Sequence, residues 1–135
     1  MSATNCALTP DWVAGRVVLA DVRNPIENHG SRGKTRPVVI VRREGSSVVV
    51  MGLTTNSTYQ SGVPRVPVPN PTAAGLHGRG YLWGDRLTRV CVLDLVRPIG
   101  WVDRDLAEAI ADLAELVPQD RAALRSASTP LLESA

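Results

Sequence analysis

The chain has little cysteine, histidine or lysine and no long hydrophobic run. Its two cysteines, Cys6 and Cys91, in 135 residues cannot build the disulfide framework of a small secreted domain, and no Cys-x-x-Cys pair offers a zinc site. His29 and His77 are the only histidines. Without clustered carboxylates they are too few to define a metal site, so no metal or cofactor is expected. The longest apolar runs, residues 38–41 and 48–53, fall far short of the roughly 18 residues a membrane helix needs. Polar residues precede Trp12, Val13 and Ala14, which is not the basic-then-apolar order of a signal peptide. A soluble, cytoplasmic protein without membrane attachment is the expectation. Familiar enzyme signatures are missing as well. There is no Gly-x-x-x-x-Gly-Lys-Ser/Thr for phosphate, no Gly-x-Ser-x-Gly and no His-Glu-x-x-His.

What is present begins with ordinary globular composition, 44% hydrophobic and 21% charged, which argues against wholesale disorder. The length suits one domain with a core of its own. The net charge of +2 conceals an asymmetry. Residues 15–100 carry eleven Arg and one Lys against five acids, a balance of +7, whereas residues 101–135 carry three Arg against seven acids, a balance of −4. Asp11 accounts for the remainder. Arginine supplies all the cations but Lys34, and its planar fork suits phosphate and bases. A basic body with an acidic tail fits a polyanion-binding surface, and equally a fold that arginine merely keeps soluble.

Along the chain, residues 1–14 read as a tail that docks through Trp12. Arg16-Val17-Val18-Leu19-Ala20-Asp21-Val22 has strand composition. Residues 27–35, with glycines and mixed charge, form a loop. Val38-Val39-Ile40-Val41 has the continuous apolarity of a strand buried on both faces, and the turn Glu44-Gly45-Ser46-Ser47 makes a hairpin with residues 48–53. Thr54 and Thr55 stand where that second strand ends. Val66-Pro67-Val68-Pro69 can be only an edge strand or an extended loop, and residues 81–83 and 87–95 restore strand composition. Leu106, Ile110, Leu113 and Val117 then form one stripe of an amphipathic helix that Asp103 caps and Pro118 stops. Residues 119–125 add a further helical turn or two. Short-spaced strands followed by a helix suggest a small, strongly bent sheet or barrel.

Five blocks in order carry a resemblance. Gly15-Arg16-Val17-Val18-Leu19-Ala20-Asp21-Val22 with Pro25 resembles the opening strand of the MazF/PemK toxin family. Gly33-Lys34-Thr35-Arg36-Pro37-Val38-Val39-Ile40-Val41 is similar to that family's Arg-Pro strand, and Met51-Gly52-Leu53-Thr54-Thr55 to the strand end that carries its hydroxyl. Leu82-Trp83-Gly84-Asp85-Arg86-Leu87-Thr88-Arg89-Val90 resembles its acidic-Gln-apolar-basic segment. Ile99-Gly100-Trp101-Val102 and the following helix complete the match.

The resemblance implies a mainly β, α+β fold, a small bent antiparallel SH3-like barrel with a C-terminal helix. Residues 1–14 would be a tail, 15–117 the barrel plus helix, and 118–135 an extension. It also implies a metal-independent endoribonuclease acting on single-stranded RNA, a homodimer, neutralised by a cognate antitoxin. Arg36 matches the catalytic arginine and Thr54 the catalytic hydroxyl, while Lys34, Thr55, Asp85, Arg86 and His29 would meet RNA. Two departures stand out. The loop that often carries Glu-Gln reads Glu27-Asn28-His29-Gly30-Ser31-Arg32-Gly33-Lys34, and the Gln after the acidic residue is Arg86.

Taken singly, these residues have plainer readings. Arg36 is a surface arginine at the start of a strand, Thr54 a packed β-branched residue, and Asp85 an ion-pair partner of Arg86 or Arg89. Trp83 fills a core or a dimer interface, and Cys91 is a small buried hydrophobe. The alternative function is a nuclease-inactive RNA- or protein-binding module on the same barrel, such as a gyrase poison. Those relatives rely on a C-terminal Trp-Gly-Ile, whereas this sequence ends Leu131-Leu132-Glu133-Ser134-Ala135.

Overall fold

Aliphatic and β-branched residues dominate the first half of the chain, and they pair as their period-two pattern requires. The computed structural model describes residues 12–22, 34–54 and 65–128, with backbone alone for 22, 34, 65 and 83–86. Six strands form one antiparallel sheet: β1 (Arg16–Val22), β2 (Lys34–Glu44), β3 (Ser47–Thr54), β4 (Arg65–Pro67), β5 (Tyr81–Cys91) and β6 (Leu95–Trp101). Their spatial order is β4-β5-β3-β2-β1-β6. The hairpin expected at residues 44–47 joins β2 to β3, with Glu44 opposite Ser47. The proline-bearing segment supplies the edge strand β4, where a missing N–H costs no ladder bond. A 3-10 turn, Val92–Asp94, separates β5 from β6, so the strand composition of residues 87–95 spans two strands with a bend between them.

Both faces of the sheet are covered. One carries Val17, Val39, Met51, Leu53 and Leu82 against Leu106, Ile110 and Leu124 of the helices. The other carries Val18, Ala20, Val38, Ile40, Val48, Val50, Val90 and Leu95, with half-buried Trp12 and Val92 packed against them. Residues 38–41 are therefore buried on both sides, as their unbroken apolarity predicts.

The sheet is open, since β4 and β6 are its edges. Loop 71–75 crosses the gap and lies on β6. A Cβ on Gly100 would stand 2.3 Å from the Ala74 carbonyl oxygen, and one on Gly75 only 2.0 Å from that of Ile99. Gly75 also has φ +86. Only glycine lets two backbones approach this closely.

The helical end departs from the sequence reading. Helix α1 (Arg104–Leu113) starts as expected, with the Asp103 carboxylate accepting the Leu106 N–H at 2.9 Å. It stops before Val117, however. Glu115 takes φ 51, and the Leu116 and Glu115 N–H groups donate to the carbonyls of Ala111 and Asp112, the Schellman pattern of a finished helix. Val117 is left outside the helix and exposed. Pro118 opens helix α2 (Pro118–Ser128) instead of ending α1, because a proline at the first helical position forfeits no hydrogen bond.

Helix α2 docks on α1 and on the sheet. Arg125 pairs with Glu108 at 2.8 Å and Arg121 with Asp112 at 3.1 Å. Buried Asp120 accepts from Arg42 of β2 at 2.5 Å. Cys91, expected inside, is exposed. Val90 takes the inward place opposite Val48 and alternation turns Cys91 out. Among the described residues, no helix is long and apolar enough to cross a membrane.

Candidate nucleic-acid interface

Strand register decides which of the expected residues share a face. Ala20 of β1 is opposite Arg36 of β2, and Val38 is opposite Gly52 of β3. Arg36 and Thr54 each lie two residues beyond that last pair. Alternation therefore puts both on the face of Val38 and at the same level of the sheet. Thr54 is in turn opposite Tyr81 of β5, and Tyr81 opposite Pro67 of β4. On the far side, Ala20 is opposite Leu95 of β6. One row thus crosses all six strands: Leu95, Ala20, Arg36, Thr54, Tyr81, Pro67.

Burial changes along that row. Leu95 and Ala20 are buried, Arg36, Thr54 and Tyr81 are half-buried, and Pro67 is exposed. The row is the rim at which the second core cluster gives way to solvent. A guanidinium fork and a hydroxyl at one level can hold a phosphate from two sides, the first by charge-assisted pairs of hydrogen bonds. An aromatic ring stands next in line.

The other arginines of β2 have different work. Arg42 donates to Glu44 at 2.6 Å as well as to Asp120, and Arg89 of β5 pairs with the same Glu44. Hydrogen bonds from Arg42 first, then Arg89, hold the Glu44 carboxyl below the usual carboxylate range. Arg42 is held charged beyond its ordinary value, chiefly by its bond to Glu44. Part of the basic surplus counted in the sequence is therefore internal to the fold. On β1, the Arg16 guanidinium lies 4.5 Å from the centre of the Trp101 ring, its partner across the β1–β6 ladder.

Of the residues expected to meet RNA, Lys34 opens β2, and Asp85 and Arg86 belong to β5 by backbone, their side chains being outside the described set. Thr55 and His29 lie outside the described residues altogether. Among the described residues, no three His, Cys, Asp or Glu side chains converge on a point where a metal could bind. Tyr81 is the member of the row that sequence reasoning passed over. Its segment gave only strand composition, and the pairing with Thr54 depends on a register shift between Met51 and Leu53, for which Gly52 and Gly84 inside the strands were the available signal.

No family model matches the chain, and no curated protein matches it. Solved structures do. The Mycobacterium tuberculosis toxin MazF-mt6 is similar over 76% of this chain and 98% of its own, with 27% identity and a TM-score of 0.51. A second Mycobacterium tuberculosis toxin is similar over 74% of this chain and 97% of its own, with 23% identity and a TM-score of 0.51. A mycobacterial endoribonuclease solved with its cognate antitoxin covers 78% of this chain and 96% of its own, at 18% identity and a TM-score of 0.48. The fold is that of a MazF-like toxin: among the described residues, a mostly antiparallel open sheet with two helices, one of them C-terminal.

Proposed function

We propose that the chain is the toxin of a toxin–antitoxin pair and an endoribonuclease acting on single-stranded RNA. The observation that carries this reading is the shared face and level of Arg36 and Thr54 at the rim of a MazF-like sheet. In the proposed reaction the 2′-oxygen of a ribose attacks the adjacent phosphorus. The 2′-OH gives its proton to water as the O2′–P bond forms, the P–O5′ bond breaks, and the departing 5′-oxygen takes up a proton from water. The products are a 2′,3′-cyclic phosphate and a 5′-OH end.

Arg36 binds the non-bridging oxygens as negative charge gathers on them and donates to the departing 5′-oxygen. A guanidinium offers donors and no acceptor, so water takes the 2′-OH proton. Preorganised donors of this kind contribute about 10²–10³ in rate each. Thr54 orients the phosphate or the 2′-OH by hydrogen bonding. Charge neutralisation by guanidinium does what a metal does in other nucleases, so the reaction needs no divalent cation. Lys34, Thr55, Asp85, Arg86 and His29 would line the RNA path, in a homodimer whose facing loops form basic grooves. An acidic antitoxin segment would occupy such a groove in place of RNA, its apolar side chains meeting the margin where Leu93, Val96 and Trp101 are exposed.

The test is incubation of a long single-stranded RNA with the full chain in EDTA. Discrete cleavage is the expected result. Cleavage only after divalent metal is restored would refute the mechanism, and binding without cleavage under any condition would favour a nuclease-inactive binding module.

A further inference from the structure

Tyr81 stands beside the proposed reaction centre, and its ring has no other assignment. It is opposite Thr54 on β5, on the face that carries Arg36. Among the described residues it belongs to neither buried cluster. Of the other aromatics whose side chains are described, Trp12 packs on the second cluster and Trp101 carries the Arg16 guanidinium. The two sides of the Arg36–Thr54 pair also differ. Towards β1 the next residue is Ala20, wholly buried and small. Towards β5 it is Tyr81, half-buried, with exposed Pro67 beyond it on the edge strand.

Neighbouring strands lie about 4.8 Å apart. A phosphate held between Arg36 and Thr54 has its attached nucleoside within one or two strand widths, and among the described side chains of the row the β5 side offers the flat apolar surface. We infer that Tyr81 is the platform on which a nucleobase adjoining the reacting phosphate stacks, which makes it a positioning residue for single-stranded RNA. This rests on the endoribonuclease reading above. Stacking on tyrosine accepts any base, since every base has a π-face. The phenol hydroxyl is not required for it.

The experiment uses the full chain and two 2′-O-methyl strands that cannot be cleaved. One is a randomised-sequence RNA, the other an abasic strand of equal length and charge. Each is titrated against wild type, Tyr81→Phe, Tyr81→Leu and Tyr81→Ala, and cleavage of unmodified RNA is followed in parallel. Wild type and Tyr81→Phe should prefer the base-bearing strand equally. Tyr81→Leu and Tyr81→Ala should lose about tenfold of that preference while binding the abasic strand as wild type does. The leucine variant keeps bulk on the strand, so a loss shared with alanine is not a packing effect. If Leu and Ala retain the preference, the platform is refuted. If Phe loses as much as Ala, the hydroxyl is the contact and stacking is refuted. A Tyr81-dependent preference in a protein that cuts no RNA would sustain the platform and overturn the endoribonuclease reading alone.

Discussion

Arg36 and Arg42 lie on the same strand but serve different ends. Arg42 holds Glu44 and the buried carboxylate of Asp120, and so ties α2 to the sheet. Arg36 lies at the opposite end of β2, in a half-buried row with Thr54 and Tyr81. If Arg36 stabilises charge on a phosphorane, geometry matters as much as charge. Arg36→Lys keeps one positive charge and removes the fork, so kcat should fall by more than about tenfold. RNA binding should weaken far less, because other arginines still neutralise phosphates. Single-turnover cleavage beside equilibrium binding separates the two effects, and equal losses would make Arg36 a positioning contact only. The Arg-Pro and Thr-Thr blocks singled out Arg36 and Thr54 in the sequence, and the strand register sets them in one row. Tyr81 was not singled out, because a one-residue slip in register would turn it to the other face, and Gly52 and Gly84, which mark the bulge, do not fix how many residues it takes up.

At the scale of elements, the sequence was most informative where one local rule decided the outcome. The unbroken apolarity of residues 38–41, the Gly45-Ser46 turn and the Asp103 cap all appear where local chemistry put them. It misled where two rules competed. Val117 continues the helical stripe, yet the chain turns at Glu115 so that Leu116 can be buried, leaving Val117 in solvent. Cys91 has apolar neighbours, but strand alternation determines its side. The bent sheet was expected, but the seating of loop 71–75 on β6 was not legible, since it joins residues far apart in the chain. That contact has a sharp test. Gly100→Ala would drive a methyl group into backbone atoms of Ala74 and Gly75, and neither neighbour has a flexible end that could move away. Urea unfolding should report a loss of roughly 1–3 kcal/mol. An unchanged midpoint would mean that the loop is not seated on β6.

For the whole molecule, the decisive property is an arginine-rich sheet domain joined to an acidic helical end. Glu108 and Asp112 pair with Arg125 and Arg121 of the same helical end, so its acidic surplus persists and is met across the fold by Asp120 on Arg42. The sheet domain thus remains the basic surface. Its RNA complex should weaken steeply between about 50 and 200 mM salt, as phosphate contacts do. An antitoxin complex anchored by apolar side chains should weaken less over the same range, and parallel slopes would mean that charge alone holds the inhibitor. The central claim, that a ribose 2′-oxygen is the nucleophile, has a more direct test. Once a cleavage position is mapped, an RNA carrying a single 2′-deoxynucleotide on the 5′ side of that bond is offered in EDTA, and the product ends are identified chemically. The account predicts that the unmodified strand yields a 2′,3′-cyclic phosphate and a 5′-OH, and that the deoxy strand stays intact at that bond. Cleavage of the deoxy strand at the same bond would contradict it.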